Sequence, residues 1–139
     1  MSVSKYNAEG YYDPTMHAAL TNIENEEKRA RFRPIVYICS PYSGDVEGNT
    51  SNARRYCRFA VDRGCIPIAP HLLFPQFMND ADEAERDLAL FMGIVLLTKC
   101  AELWAFGDVI TRGMTAEIAR ATRRGQPIHY FTEDLEVLL

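Results

Sequence analysis

The fold is decided by the stretch Ile35-Val36-Tyr37-Ile38-Cys39, which leads into Ser40-Pro41-Tyr42-Ser43-Gly44-Asp45. The first five residues are a continuous β-prone run, which is typical of a strand covered on both faces in a parallel sheet. The next six are rich in turn residues. A helix is predicted over about residues 49–63, with Gly64 where a helix-ending glycine belongs. This strand, loop and helix predict an α/β fold.

Similar units follow along the rest of the chain. Further strands are predicted over residues 65–69, 102–106 and 127–131, and helices over residues 80–99 and 113–124, before a short helical tail. The alternation predicts a doubly wound, flavodoxin- or Rossmann-like parallel sheet of four to five strands. In such a sheet the ligand site lies beyond the carboxyl ends of the strands, so loops 40–48, 70–79 and 107–113 are the informative ones.

A long helix is predicted from residue 80, after an irregular connection. Asp80-x-x-Glu83 resembles a capping box that opens the helix. Residues 70–78 are read as an irregular, unusually apolar loop that forms a pocket wall. The expected core stripe of the helix consists of Leu88, Phe91, Met92, Val95 and Leu96.

Residues 1–33 differ in texture from the rest and are predicted to form a helical extension. They are polar and charged, with Asp13 as the expected N-cap and Pro14 as the first helical residue. The apolar stripe of this helix is too thin for an independent domain, so we expect it to dock on the main body or on a second subunit. The α/β domain then spans residues 34–139.

Composition limits the possible functions. The chain has 139 residues, of which 47% are hydrophobic and 24% charged, which is enough for one compact domain with its own core. A net charge of -4 argues against a nucleic-acid polymer or an anionic membrane as partner. The longest apolar stretch, residues 88–98, is much shorter than the roughly 20 residues of a spanning helix, and we expect a cytoplasmic protein. No residue cluster has metal-ligand spacing, and no cofactor is implied.

Asp87 is a candidate because of its helical neighbours. Positions three and four residues away hold Glu83 and apolar side chains such as Phe91, but no Lys or Arg that could pair with it. We expect Asp87 to be partly buried, and burial together with Glu83 would favour the protonated form, which suits a proton donor. The alternative is a solvated residue on the flank of the helix.

Glu117 is a second candidate, near the start of the last long helix. It follows Gly113, which permits close approach of the backbone to a ligand, and Met114. An ionised carboxylate at the carboxyl edge of the sheet can act as a nucleophile or a general base. The alternative is a surface pair with Arg120, three residues later.

The loop Ser40-Pro41-Tyr42-Ser43-Gly44 offers hydroxyls and backbone donors near a helix N-terminus, where an anion is favoured. It lacks both the Gly-x-Gly-x-x-Gly fingerprint and the P-loop pattern, which argues against ordinary NAD and ATP sites. The alternative is a polar turn. His71, after the second strand, could act as a base or stack on a substrate, although a structural role is the more common one.

Four pieces of sequence carry a resemblance to a known family. They are Val36-Tyr37-Ile38-Cys39-Ser40-Pro41-Tyr42, Glu85-Arg86-Asp87, Leu96-Leu97-Thr98-Lys99-Cys100-Ala101-Glu102-Leu103-Trp104 and Gly113-Met114-Thr115-Ala116-Glu117-Ile118. On these pieces, residues 34–132 resemble the nucleoside 2-deoxyribosyltransferase-like superfamily. The resemblance is strongest to a branch common in phages and prophages, which is related to 2'-deoxynucleoside 5'-phosphate N-hydrolases.

The resemblance implies a reaction and the residues for it. Glu117 would attack the anomeric carbon of a (deoxy)nucleoside or its 5'-monophosphate, giving a glycosyl-enzyme that water or a second base resolves. Asp87 would assist the departing base, and Tyr37 would lie beside the nucleophile. Residues 40–44 would correspond to the phosphate loop, and Thr111 would place a hydroxyl on the 5'-phosphate. The resemblance also implies a homo-oligomer.

Three departures from the family and two other functions keep the interpretation open. Ser40-Pro41 replaces a small Gly-Ser pair of the hydrolases, which removes a backbone donor because proline has no N–H. The 70–79 segment and the N-terminal helix have no counterpart in the family. A non-catalytic module that binds a nucleotide or a signalling ligand would keep the same pocket, and an NAD-cleaving or base-modifying enzyme would use the same two carboxylates.

Overall fold

The computed structural model describes residues 14–138, and these fall into two compact units that meet in sequence between Arg33 and Pro34. The first unit contains helix α1 (Pro14–Ala30), which begins at the predicted proline. The expected N-cap, Asp13, lies outside the described residues. No helix in the described part of the chain is long and apolar enough to span a bilayer.

The second unit contains the remaining elements, in alternating order. They are β1 (Ile35–Cys39), α2 (Val46–Asp62), β2 (Ile66–Ile68), α3 (Pro70–Leu73), a 3-10 turn (Phe74–Gln76), α4 (Glu83–Thr98), β3 (Glu102–Phe106), α5 (Arg112–Arg123), β4 (Ile128–Phe131) and β5 (Val137–Leu138).

The five strands form one sheet in the order β2-β1-β3-β4-β5. The first four are parallel, and β5 pairs with β4 in the antiparallel direction. This order is that of flavodoxin-like sheets, so the predicted doubly wound α/β fold is confirmed. The strand order reverses at β1, between β2 and β3, which places the expected ligand crevice at the carboxyl end of β1.

Strand β1 is buried on both faces, as its composition predicted. Side chains alternate along a strand, so Val36 and Ile38 face one side of the sheet and Tyr37 and Cys39 the other. The first pair packs in a cluster with Tyr56 of α2, and the second pair packs in a cluster with α4 and α5. The sheet therefore lies between α2 and the side chains of Tyr37 and Cys39, which face α5.

Three local expectations are corrected by the structure. The 70–78 segment is not irregular, because α3 and the 3-10 turn occupy most of it. The N-cap of α4 is Asp82 rather than Asp80, since its Oδ1 accepts hydrogen bonds from the amides of Ala84 and Glu85 at 2.9 and 3.4 Å. The end of the chain adds β5 instead of a helix, through pairing with β4.

The stripe expected to bury α4 in the core is wrong for three of its five residues, while the other two, Met92 and Leu96, are half-buried. Leu88, Phe91 and Val95 are 49%, 64% and 40% exposed, whereas Gly93 and Leu97 are buried. On a helical wheel the three exposed residues lie almost opposite the buried pair. Helix α4 therefore packs on the sheet through its small and C-terminal residues and presents a second apolar face outward.

Candidate active site

Glu117 lies in the second turn of α5, half-buried against β1. The hydroxyl of Tyr37 and the thiol of Cys39 both donate hydrogen bonds to its carboxylate. The two donors are two positions apart on one face of β1, and the helix start that follows β3 brings Glu117 over them. The structure thus joins Glu117 and Tyr37, two of the residues singled out in the sequence, and adds Cys39.

Burial dominates the electrostatics of this cluster. It raises the pKa of Glu117 to about 7, while the hydrogen bonds from Tyr37 and Cys39 act in the opposite direction. Burial, and then the charge of Glu117, raise the pKa of Tyr37 and of Cys39 well above their usual ranges. Both therefore remain protonated donors at neutral pH. Near neutral pH Glu117 is therefore divided between its protonated and its ionised form, and only the ionised form can attack as a nucleophile.

The alternative surface role of Glu117 is wrong. No ion pair joins it to Arg120 within residues 14–138, and its partners lie on β1 instead. Met114 and Ala121, three residues before and four residues after Glu117, are buried in the core cluster on the sheet. Glu117 lies on the same face of α5 and therefore points towards the sheet rather than towards solvent.

The hydroxyl of Tyr37 lies in a corner between two helices. A Cβ added to Gly93 of α4 would lie 3.6 Å from Tyr37 Oη and 3.7 Å from Cβ of Pro70, at the start of α3. The absence of a side chain at Gly93 lets α4 approach this corner closely. The N-terminal half of α4 then extends beyond the carboxyl edge of the sheet.

Two hydrogen bonds join the loop after β1 to the segment after β2. Ser40 Oγ is 3.0 Å from His71 Nε2, and the hydroxyl of Tyr42 donates to Asp80 Oδ2 at 2.7 Å. The side-chain amide of Asn49 also donates to the carbonyls of Tyr42 and Ser43, each at 3.1 Å. The two loops therefore form one connected wall at the carboxyl edge, and its role as the wall of a pocket stays a prediction.

His71 belongs to this wall as a neutral group. Burial lowers its pKa to about 4, so the ring is uncharged at neutral pH. Its contact with Ser40 and the edge-on approach of the Tyr42 ring, with centroids 6.1 Å apart, hold the imidazole in place.

The expected phosphate loop has features that oppose an anion. Ser43 and Gly44 are exposed and Pro41 supplies no N–H, while the carboxylate of Asp45 already caps α2 by accepting from the amide of Gly48 at 3.1 Å. Glu47 adds a second negative charge in the first helical turn. The negative charges of Asp45 and Glu47 thus already interact with the helix dipole at this N-terminus and would repel a bound anion.

Thr111, Gly113 and Met114 form the start of α5. Thr111 Oγ1 accepts a hydrogen bond from the amide of Met114 at 3.3 Å and is the N-cap of the helix. Gly113 is exposed, whereas the side chain of Met114 is buried in the core. Of these residues, Thr111 and Gly113 remain open to a ligand, and Met114 could offer only its backbone.

Asp87 does not share the surroundings of Glu117. The expectation that it is partly buried is wrong, because its side chain is exposed in the described unit. It precedes Gly93 by six residues, a rise of about 9 Å along α4, so it lies above the corner that holds Tyr37 rather than within it.

The structure reveals one site residue that the sequence analysis did not select. Cys39 is the last residue of the β-prone run that was expected to be covered on both faces, yet its thiol contacts Glu117. The signal available in the sequence was the spacing Tyr37-x-Cys39, since strand alternation places both side chains on the face that bears Glu117. Among the residues described, no group of three or more His, Cys, Asp or Glu side chains is arranged to hold a metal ion.

Comparisons with known proteins agree with the fold. The model of a domain of unknown function, DUF7768, matches residues 34–131. A solved structure of a 2-deoxyribosyltransferase from the psychrotolerant bacterium Bacillus psychrosaccharolyticus is similar, with a TM-score of 0.56 and 17% sequence identity over 70% of this chain and 72% of the other. At that identity the similarity shows a shared fold. A search of curated protein sequences gave no match.

Proposed function

The chain belongs to the DUF7768 family, and we propose that its α/β domain is an N-glycosyl hydrolase or transferase acting on a nucleoside or its 5'-monophosphate. One observation carries the proposal. Glu117 is a half-buried carboxylate at the carboxyl edge of the sheet, with a pKa raised by burial to about 7 and two neutral donors on it. The similarity in fold to a 2-deoxyribosyltransferase supports this choice of chemical class.

In the proposed reaction, an ionised oxygen of Glu117 attacks the anomeric carbon of the sugar. The bond from that carbon to the base nitrogen breaks, and the base leaves with the bonding electron pair and takes up a proton. The resulting glycosyl ester on Glu117 is resolved by water, which gives free sugar, or by a second base, which gives a new nucleoside. Tyr37 steers the attacking oxygen through its hydrogen bond.

Asp87 is assigned to the departing base in this proposal. It lies on α4 above the Tyr37 corner, where a base attached to a sugar over Glu117 would project. A carboxyl group there can hydrogen-bond the base and so assist its departure. The exposed position means that substrate, or a second subunit, must cover Asp87 before it exerts its full effect.

The wall around the sugar favours an uncharged 5' end. Asp45 and Glu47 place two negative charges at the start of α2, and Pro41 removes a backbone donor. A 5'-hydroxyl could instead meet Ser40 or the hydroxyl of Thr111. We therefore rank the nucleoside above its 5'-monophosphate as substrate.

Helix α4 offers a surface for the homo-oligomer that was expected from the sequence. Leu88, Phe91 and Val95 leave an apolar stripe exposed on a helix that is already packed on its other face. The helix begins with the acids Asp82 and Glu83 and ends before Lys99, so two copies crossing in antiparallel directions would place each acidic start near the other's lysine. We propose a second copy of this chain as the occupant of the stripe.

The test of function is release of free base. The wild-type protein and Glu117→Gln are incubated with deoxynucleosides, ribonucleosides, their 5'-monophosphates and NAD, and free base is followed by chromatography. Release from a nucleoside by the wild type alone is the expected result, and release from NAD would reassign the substrate. If no substrate is cleaved while nucleosides stabilise both proteins against heat, the domain is a binding module and the enzymatic proposal fails.

A further inference from the structure

Cys39 is the one group in contact with Glu117 that the proposed reaction leaves without a task. It is completely buried at the end of β1, with Tyr37 two positions before it on the same face. Its Sγ lies 3.9 Å from the carbonyl oxygen of Met114 and also donates to Glu117. The thiol thus has two acceptors on α5, one of which can carry a charge.

A thiol has a single proton and can donate strongly to one acceptor at a time. An ionised carboxylate is the stronger acceptor of the two, because hydrogen bonds to charged groups exceed those to neutral carbonyls. When Glu117 is ionised, the proton of Cys39 therefore points to it. When the charge of Glu117 is removed, by protonation or by bonding to a sugar carbon, the same proton can turn to Met114.

We propose that Cys39 is a positioning residue for Glu117. The Cys39 thiol donates to the carboxylate while it is ionised and ready to attack. As the bond between Glu117 and the sugar forms, the thiol proton turns to the carbonyl oxygen of Met114. The inference rests on the function proposed above. Tyr37 and Cys39 together hold Glu117 from β1, so the carboxylate is fixed in orientation before substrate arrives, which is the arrangement that rapid attack requires.

The other titratable groups near this cluster do not take over the role. Tyr37 and Cys39 donate hydrogen bonds that lower the pKa of Glu117. Cys100, which follows α4, raises the pKa of Tyr37 instead. Arg120 makes no ion pair with Glu117 in the described part of α5. Removing the thiol therefore leaves Tyr37 as the one remaining donor to the carboxylate in that part of the chain.

The test measures the titration of Glu117 directly. Carboxyl carbons are labelled with 13C at the glutamate side chains, and the signal of Glu117 is assigned by its loss in Glu117→Gln. We expect the wild-type signal to titrate near pH 7. It should move upward by roughly one pH unit in Cys39→Ala and stay near the wild-type position in Cys39→Ser, which keeps a donor.

Cys65→Ala is the matched control, because Cys65 is a buried thiol packed in the cluster on the opposite face of the sheet. It should titrate as the wild type does, and the acid limb of kcat/KM should follow the NMR midpoint in each variant. An unchanged midpoint in Cys39→Ala would overturn the inference. Release of base by the wild type is scored separately, so a lack of turnover with a shifted midpoint would refute the enzymatic proposal alone.

A measurement on the unmodified protein covers the case in which Cys39→Ala fails to fold. The S–H stretching band of Cys39 is assigned in the infrared spectrum by its loss in Cys39→Ser. We expect this band to shift as pH crosses the titration of Glu117 in the wild type and to stay constant in Glu117→Gln. A band that ignores pH in the wild type would overturn the inference.

Discussion

Glu117 and Asp87 are both acids in the second turn of a helix, yet the two helices hold them in opposite surroundings. Glu117 faces the sheet, where Tyr37 and Cys39 of β1 reach its carboxylate. Asp87 lies on a part of α4 that extends past the carboxyl edge, and it is exposed. The same position in a helix therefore gives a buried or a solvated acid, depending on whether a strand lies beneath it.

The difference separates two kinds of contribution. A preorganised carboxylate such as Glu117 has its donors in place before substrate binds, so its chemistry depends on this chain's own core. An exposed acid such as Asp87 acquires its surroundings when substrate or a second subunit covers it. The two residues should therefore differ in the size of their effect on turnover and in their dependence on pH.

The largest expected effect is that of removing the carboxylate at Glu117. Glu117→Gln retains the shape and one acceptor oxygen for the donors on β1 but cannot form a glycosyl ester, so kcat/KM for base release should fall by at least about 10³-fold. The protein should remain folded. Circular dichroism checks the fold, and loss of less than tenfold would show that Glu117 is not the nucleophile and would erase the contrast with Asp87.

Asp87→Asn should have a smaller effect on the same assay. Removal of an acid that assists a leaving group costs on the order of 10²-fold in kcat. Stability should change by no more than about 0.5 kcal/mol, because the side chain is exposed. Glu83→Gln, which changes another exposed acid one turn earlier, is the control. Equal rates for the two variants would mean that Asp87 is simply a solvated residue.

Part of this contrast could be predicted from the sequence. The β-prone run of β1 and the alternation of strands and helices predict the sheet, and the carboxyl-edge rule brings β1 and the start of α5 together. Glu117 was selected from its position near the start of α5 and then by the family resemblance, whereas Tyr37 was selected by the resemblance alone, and the contact between them supports both choices. These features depend on local patterns and on general rules of topology.

The remaining features depend on contacts between distant residues. Helix α4 is apolar on two faces, and its sequence alone does not show which of them meets the sheet. The face that contains Phe91 was assigned to the core, so Asp87, four residues earlier, was expected to be partly buried. Cys39 lies in an apolar strand, as a cysteine that only packs in a core would. Its role depends on contact with Glu117, which lies 78 positions later in the sequence. Strand β5 exists because Val137 pairs with Phe131, a contact that local propensity does not encode.

The exposed face of α4 offers a way to sharpen the comparison. Phe91→Glu places a charge at the centre of the apolar stripe and should weaken self-association by about 100-fold, as expected for an aromatic residue central to an interface. Sedimentation equilibrium measures the change. Val137→Glu, which alters an exposed apolar residue on β5, should leave association unchanged. A wild-type protein that is monomeric at high concentration would contradict the proposed second copy.

The raised pKa of Glu117 predicts a pH-dependent cost in stability. The folded protein holds the proton up to about pH 7, whereas the unfolded chain releases it near the ordinary value of 4.5. Stability from this group is therefore complete below pH 4.5 and declines as pH rises towards 7. Relative to Glu117→Gln, the wild type should lose roughly 2 to 3 kcal/mol of unfolding free energy across that window.

Denaturant unfolding at several pH values measures this difference. The pKa of His71, lowered by burial to about 4, gives the opposite dependence, with stability lost as pH falls towards 4. That contribution is present in both proteins and cancels in the comparison. Glu83→Gln, which removes an exposed acid of α4, is the control for the general effect of losing one negative charge. A flat difference between Glu117→Gln and the wild type would show that Glu117 is as solvated as Asp87.

The smallest expected effect is that of the exposed hydrogen bond between Tyr42 and Asp80. Burial and the hydrogen bond to Asp80 raise the pKa of Tyr42 to about 12, so its hydroxyl stays a donor at neutral pH. Tyr42→Phe removes that bond, and because both partners can turn to water, the unfolding free energy should fall by no more than about 1 kcal/mol. Asp80→Asn keeps an acceptor and should cost less still. A loss above 2 kcal/mol in Tyr42→Phe would place this hydrogen bond with the buried, preorganised region around Glu117 rather than with the solvated region around Asp87.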